Sequence, residues 1–222
     1  MENRQPDILL SAATELGISL SDEDLNLFNI YYEELLKWNE KINLVSVKSP
    51  QDIWIKHFID SLTALPCIAA PEGKLLDIGS GAGFPGIPLK IILKSLNVYL
   101  LDSSRKRASF LKHVCRCLKL DGIHVVNSRV EELVKNHHYL NTFDGVISRA
   151  AFKLPELLSM SAPFLTGGGT LIAMKGKDIA HELTESREAA KTSGMIFSGL
   201  HDLKLPVTKD NRKIVIYKRD LS

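Results

Sequence analysis

The sequence predicts an α/β fold: a doubly wound, mostly parallel sheet with an N-terminal helical extension. Three observations predict it. From Lys74 onward, short apolar runs alternate with helical patterns, the signature of strand–helix–strand units. Four glycines, Gly79, Gly81, Gly83 and Gly86, then separate the first apolar run from the first helical pattern. Upstream, residues 1–70 carry helical spacing and no strand-like run.

Within the extension, Ser21-Asp-Glu-Asp24 forms an N-terminal cap with acids in the first turn. Leu25, Phe28, Tyr32, Leu35 and Leu36 follow at helical spacing, and the helix ends near Asn43. A second amphipathic segment, 53–62, leads to Pro66, and Pro71-Glu-Gly73 links into the main domain. The expected division is therefore 1–70 for the extension and 71–222 for the ligand-binding domain. In that domain, strands are expected at 75–78, 97–101, 123–126, 143–148 and 168–174. Helices are expected from Ile87 and over 103–120, 130–135, 154–162 and 179–191. The last two runs, 195–205 and 212–218, are expected to pair as an antiparallel edge.

Composition bounds the class. A chain of 222 residues accommodates one full α/β domain and a small extension, here expected to act as a monomer. An apolar fraction of 45% and a net charge of +2 describe an ordinary globular protein. Any nucleic-acid contact must then come from a local patch. No apolar run is long enough to span a membrane, and the first residues carry no apolar signal region. Cys67, Cys115 and Cys117 form no Cys-x-x-Cys pair, so reduced thiols, a cytoplasmic setting and no metal site are expected.

The glycine segment admits two ligand classes. Gly81-Ala-Gly83-Phe-Pro-Gly86 fits the dinucleotide fingerprint, with Asp102 near the spacing of a ribose-binding acid. The longer pattern Asp77-x-Gly79-x-Gly81-x-Gly83 instead resembles the glycine motif of class I S-adenosylmethionine (AdoMet) methyltransferases, a Rossmann-like group. AdoMet lacks a pyrophosphate but still needs an acid at the second strand end for its ribose, and Asp102 fits there. In an open α/β sheet the ligand crevice lies at the carboxyl ends of the strands. The residues at those ends are polar: Asp77 to Gly83, Asp102, Ser128-Arg129-Val130-Glu131, Ser148-Arg149 and Lys175-Gly176-Lys177. Val130 and Glu131 fall where an adenine needs an apolar face and an edge contact. Arg149, a charged planar fork, suits a methionine carboxylate or the target base. His57 and Asp60, one helical turn apart, read equally as a buried polar pair or as a wall of the site.

Arg105, Lys112, Arg116 and Lys119 fall within about 60° of one another on one helix face, with Phe110, Val114 and Leu118 opposite. This face is the candidate RNA-contacting ridge.

Several segments carry a closer resemblance. They are Trp38-Asn39 with Asn43-Leu44, His57-Phe-Ile-Asp60-Ser61-Leu62, and Asp77-Ile-Gly79-Ser-Gly81-Ala-Gly83-Phe84-Pro85-Gly86-Ile-Pro88. Further along come Leu101-Asp102-Ser103 with Lys106-Arg107, Ser128-Arg129-Val130-Glu131-Glu132, Phe143 to Ala150, and Met174-Lys175-Gly176. Together they resemble, in order and over nearly the whole chain, the bacterial small-subunit ribosomal RNA guanine-N7 methyltransferases, the glucose-inhibited division protein B family. The resemblance implies methyl transfer from AdoMet to guanine N7 in 16S ribosomal RNA, at position 527. It implies the 16S RNA or a small-subunit precursor as partner, with no membrane or metal. It places cofactor contacts on Gly79, Phe84, Val130, Glu131 and Arg149. The reading of the glycine loop and strand ends adds Gly81, Gly83 and Asp102 as cofactor contacts, with Arg149 and Lys175 as the candidate catalytic residues. The family often has leucine where Phe84 stands.

What is missing agrees. The position after the fourth strand reads Ser148-Arg149-Ala150, not the Asn/Asp-Pro-Pro-aromatic motif of amino-group methyltransferases. No cysteine falls in a late site loop, as a cytosine-C5 enzyme would need. Two other classes stay open: a nucleotide-cofactor oxidoreductase, and a non-catalytic RNA-binding factor on the same fold.

Overall fold

The computed structural model describes residues 5–46, 49–176 and 178–221. The sheet order is β3-β2-β1-β4-β5-β7-β6. Its strands are β1 (Lys74–Ile78), β2 (Asn97–Leu101), β3 (Ile123–Val126), β4 (Phe143–Arg149), β5 (Leu165–Lys175), β6 (Met195–Lys204) and β7 (Asn211–Arg219). β1 to β5 are parallel neighbours, and β7 runs antiparallel to both β5 and β6. The last two strands therefore pair as expected. The edge, however, is β6, and β7 is inserted between β6 and β5.

Side chains alternate between two apolar layers. Leu75, Val98, Leu100, Ile147, Ile172, Met174 and Ile214 pack into one, while Leu76, Leu101, Val146, Leu171, Ala173 and Val215 pack into the other. The central strands are thus buried on both faces, as expected of a parallel sheet covered by helices, whereas edge strand β6 is largely exposed. The first layer is closed by α1 (Gln5–Glu15), α2 (Asp22–Ile42), α5 (Gly86–Ile92) and α6 (Arg105–Leu118). The second is closed by α7 (Val130–Leu133), α8 (Leu154–Ser161) and α9 (Ala180–Thr192).

α2 begins with a capping box: Asp24 N–H donates to Ser21 Oγ at 3.1 Å, and Ser21 N–H donates to Asp24 at 2.9 Å. Asn43, in a left-handed conformation, ends it. α6 lies between sheet and extension. Phe110, Val114 and Leu118 are buried as expected, but Phe110 also meets Trp38 of α2, with ring centroids 5.7 Å apart.

The second extension segment is not one regular helix. α3 (Pro50–Ile53) passes into a π-helical turn, Trp54–Ile59, and then α4 (Asp60–Leu62). Such turns recur at functional sites because they re-aim side chains and free backbone carbonyls. Among the described residues no helix is long and apolar enough to cross a membrane.

Candidate active site

Two cavities open at the carboxyl ends of the parallel strands, one on each side of the Arg149–Phe152 segment. The first, about 490 Å³, is lined by Gly79, Asp102, Arg107, Val130, Glu131 and Phe152, among others. The second, about 430 Å³, is lined by Lys56, His57, Asp60, Arg149, Lys175, Arg212 and Lys213, among others.

In the first cavity Asp102 follows β2 directly and is nearly buried. Its Oδ2 accepts from Gly81 N–H at 3.0 Å and its Oδ1 from Ser104 N–H at 2.8 Å. These bonds fix the carboxylate and tie it to the glycine loop, yet each oxygen keeps further acceptor capacity. Val130 and Glu131 sit across the cavity at the start of α7.

The glycines divide by role. Gly81 has φ +58° and nothing nearer than 4.0 Å to where a Cβ would stand, so its bare face is open. Gly83 has φ +96°, and a Cβ there would strike the Ile87 side chain and lie 2.8 Å from the Tyr31 hydroxyl. Gly83 therefore serves packing of the loop against α2. Upstream, Gly86 N–H donates to Asp77 Oδ2 at 2.9 Å, while Asp77 Oδ1 has no partner. Burial pushes the Asp77 carboxyl up to about 7, with the Gly86 bond and then Arg149 opposing.

Phe84 departs from the expectation. Its side chain is buried and lines neither cavity. It stacks on His57, with centroids 4.8 Å apart and planes 20° apart, and Arg149 Cζ lies 5.2 Å from its ring centre. Any cofactor contact here falls to the backbone.

Arg149 is held on several sides in the second cavity. Its Nη1 donates to the Lys56 carbonyl at 2.7 Å and to Asp60 Oδ2 at 2.9 Å, and its Nη2 to His57 Nδ1 at 2.9 Å. A guanidinium only donates, so His57 Nδ1 accepts and its proton sits on Nε2. Burial first, and Arg149 second, push the His57 imidazole down to about 3. His57 is thus neutral and has no free basic nitrogen. Of the two sequence readings of His57 and Asp60, the cavity wall is the one found, and the two side chains are joined through Arg149. The other Asp60 oxygen, Oδ1, accepts from Arg212 Nε at 2.8 Å.

Lys175 also departs from the expectation. Although Lys175 belongs to the cavity wall, its ammonium donates to the Phe152 carbonyl at 2.6 Å and pairs with Glu182 at 2.7 Å. It braces the segment after β4 against α9 and is no free catalytic group. The reason is parity. Arg149 shares its sheet face with Ile147 of the extension-side layer, whereas Lys175 shares its face with Ala173 of the opposite layer. Lys177 lies outside the described residues.

Arg212, Lys213 and Lys56 were not singled out from sequence. A signal existed for the first two: an antiparallel β7 must start where the parallel strands end, and Lys213 pairs with Lys175. Lys56 had none, because a π-helical turn leaves no pattern.

Arg105, Lys112, Arg116 and Lys119 are all exposed. Lys119 is not helical, with φ 49° just beyond α6, so helical angles do not apply to it. Lys112, Arg116 and Lys119 still border one shallow concavity beside edge strand β3. Arg105 sits at the crevice end of α6.

The family profile described as rRNA small subunit methyltransferase G matches residues 24–215. The chain belongs to this family, GidB. The Ribosomal RNA small subunit methyltransferase G of Syntrophus aciditrophicus is 49% identical over 212 residues, covering 95% of this chain and 88% of that protein. Among solved structures, M. jannaschii TYW2 in complex with AdoMet is similar, with a TM-score of 0.54 and 16% identity over 72% of this chain and 74% of that one. The [4+2]-cyclase SpnF also aligns, with a TM-score of 0.62 and 11% identity over 86% and 94%. A cyclase on this fold means that the fold alone does not name the reaction; the GidB sequence match and the site must.

Proposed function

We propose that this GidB member transfers the methyl group of AdoMet to N7 of a guanine in small-subunit ribosomal RNA, at position 527 of the 16S molecule. The observation that carries this reading is the family match over residues 24–215. The Asp102 cavity supports it. A carboxylate fixed beside an open glycine loop, with Val130 and Glu131 across from it, fits the chemistry of a nucleoside cofactor. In this reading Asp102 takes the ribose hydroxyls, Val130 and Glu131 the adenine, and the Gly79–Gly81 backbone the remainder of AdoMet. Once bound, AdoMet supplies an electrophilic methyl group on a sulfonium.

The protein's own work is positioning. Guanine N7 carries a free lone pair, so no proton has to be removed before attack. A site without an available base is sufficient, and His57, neutral and engaged through Nδ1, is no base. Arg149, clamped in one geometry, orients the reacting groups at near-attack distance. Lys56, Arg212 and Lys213 give the second cavity a cationic rim suited to RNA phosphate, despite the small net charge. Residues 71–222 hold the cofactor in this reading, and 1–70 supply the wall with Lys56, His57 and Asp60. The enzyme acts as a cytoplasmic monomer without a metal in the transfer step.

Methylation at N7 leaves a fixed positive charge on the base. After incubation with tritiated AdoMet and ribosomal RNA, borohydride and aniline should cleave the RNA backbone at the labelled guanine. Label on an exocyclic nitrogen or on another base refutes the target atom. NAD binding without labelling favours an oxidoreductase, and RNA binding without transfer a non-catalytic factor. Naked RNA, 30S subunits and assembly intermediates, assayed in parallel, identify the physical substrate.

A further inference from the structure

Glu34 of α2 and His113 and Cys117 of α6 bring three different ligand-type side chains together, and none of them lines either cavity. His113 Nε2 lies 2.6 Å from Glu34 Oε2 and 3.5 Å from Cys117 Sγ. We propose that these three residues form a binding site for a zinc-class divalent cation that staples the N-terminal extension to the methyltransferase domain.

Geometry is the first support. Zinc sits about 2.3 Å from a thiolate and about 2.0 Å from an imidazole nitrogen, so tetrahedral coordination separates the two donors by about 3.5 Å. That is the Cys117–His113 separation found here. The carboxylate oxygen must move outward by less than 1 Å or so to complete the set, a small rotation of a half-buried side chain. All the donor atoms already lie within 4.8 Å of one another. A mixed nitrogen, sulfur and oxygen set suits zinc better than calcium or magnesium. Three protein ligands leave the fourth position to water.

The surroundings favour a ligating state. Lys37 occupies the other Glu34 oxygen, Oε1, at 2.7 Å, leaving Oε2 for the cation. His113 and Cys117 are one turn apart on a regular helix, and Glu34 is well inside another, so the donors stand on rigid elements. The other two thiols do not compete: Cys67 is buried, and Cys115 lies outside the cluster. Sequence spacing pointed to no metal site because the third donor comes from a helix 79 residues upstream of His113, beyond any local motif.

Untagged, reduced, full-length protein titrated with Co²⁺ and Zn²⁺ tests the site. One equivalent should bind, with thiolate-to-cobalt charge-transfer absorption and tetrahedral cobalt bands. Trp38, whose ring centre lies 5.3 Å from that of His113, should report cobalt binding by loss of fluorescence. Cys117→Ser should abolish the charge-transfer band, and His113→Gln and Glu34→Gln should each weaken zinc binding at least about tenfold. Cys115→Ser should change nothing. Zinc should raise the melting temperature of the wild type but not of Cys117→Ser. A thiolate-free cobalt spectrum, no binding, or binding retained in Cys117→Ser overturns the site. None of these readouts depends on methyl transfer, so the proposed activity stands or falls separately.

Discussion

Arg149 shows how much one side chain can be committed. Its fork engages the Lys56 carbonyl, Asp60 and His57 at once, over the Phe84 ring. Arg149→Lys keeps the charge but cannot make a planar, multi-acceptor grip. Asp60 would retain Arg212, so no buried carboxylate is stranded and the fold should survive. Methyl transfer should fall steeply, with unchanged circular dichroism; near-wild-type turnover would remove Arg149 from the site. Asp102→Ala should weaken AdoMet binding by roughly 1–3 kcal/mol, the scale of lost charged hydrogen bonds. Unchanged affinity by calorimetry would sink that assignment. His57 carries a pH signature. Its folded value, about 3, lies below the ordinary 6.5, so the unfolded chain takes up the proton first as the solution is acidified. The stability His57 contributes is therefore present above about pH 6.5 and is lost as pH falls toward about 3. The loss should approach about 1.4 kcal/mol per pH unit within that window. His57→Gln should flatten this acid limb in urea melts; an identical limb in both proteins would mean that other groups produce it.

At the level of elements, the glycine loop makes opposed predictions from neighbouring positions. Gly81→Ala should fold, losing about 1–2 kcal/mol for a left-handed alanine, but should lose most of its AdoMet affinity because the added methyl enters the open face. Gly83→Ala should lose stability outright, because its methyl meets Ile87 and Tyr31 inside the core. Equal effects of the two on thermal melting would contradict this division. The sequence made the loop and the parallel strands legible because an apolar run buried on both faces leaves a continuous signal. The start of β5 at Leu165 is hidden in the sequence, because Gly167 to Gly169 carry no side-chain pattern and the apolar run begins only after them. The π-helical turn was illegible, since its departure from the α-helix lies in the backbone alone. Arg149 and Asp102 stood out because strand ends are predictable. For Lys175 the place at a strand end is not enough: Ala173 and Ile172 pack into opposite layers, and that alternation decides which face Lys175 takes.

For the molecule as a whole, a net charge of +2 cannot attract RNA uniformly, so binding must be local and its salt dependence must trace to identifiable cations. Two groups are available. The cavity cations Lys56, Arg149 and Arg212 are half-buried and tied to Asp52, Asp60 or backbone, which suits orienting a base more than gathering a long strand. Arg105, Lys112 and Arg116 are exposed along α6, which begins at the crevice beside Asp102 and runs away from it. An RNA strand entering the crevice would pass along this helix. Replacing all three by alanine should leave AdoMet affinity unchanged, because none of them lines the Asp102 cavity. RNA affinity should fall, and the slope of log affinity against log salt should become shallower by about 2, since each lost phosphate contact on a single strand removes roughly 0.7. Arg212→Ala should lower turnover more than the slope, because Arg212 shares Asp60 with Arg149 in the cavity wall. If the triple variant keeps both the affinity and the salt slope of the wild type, the α6 face is only solvated, and the strand must approach from the β7 side of the cavity instead.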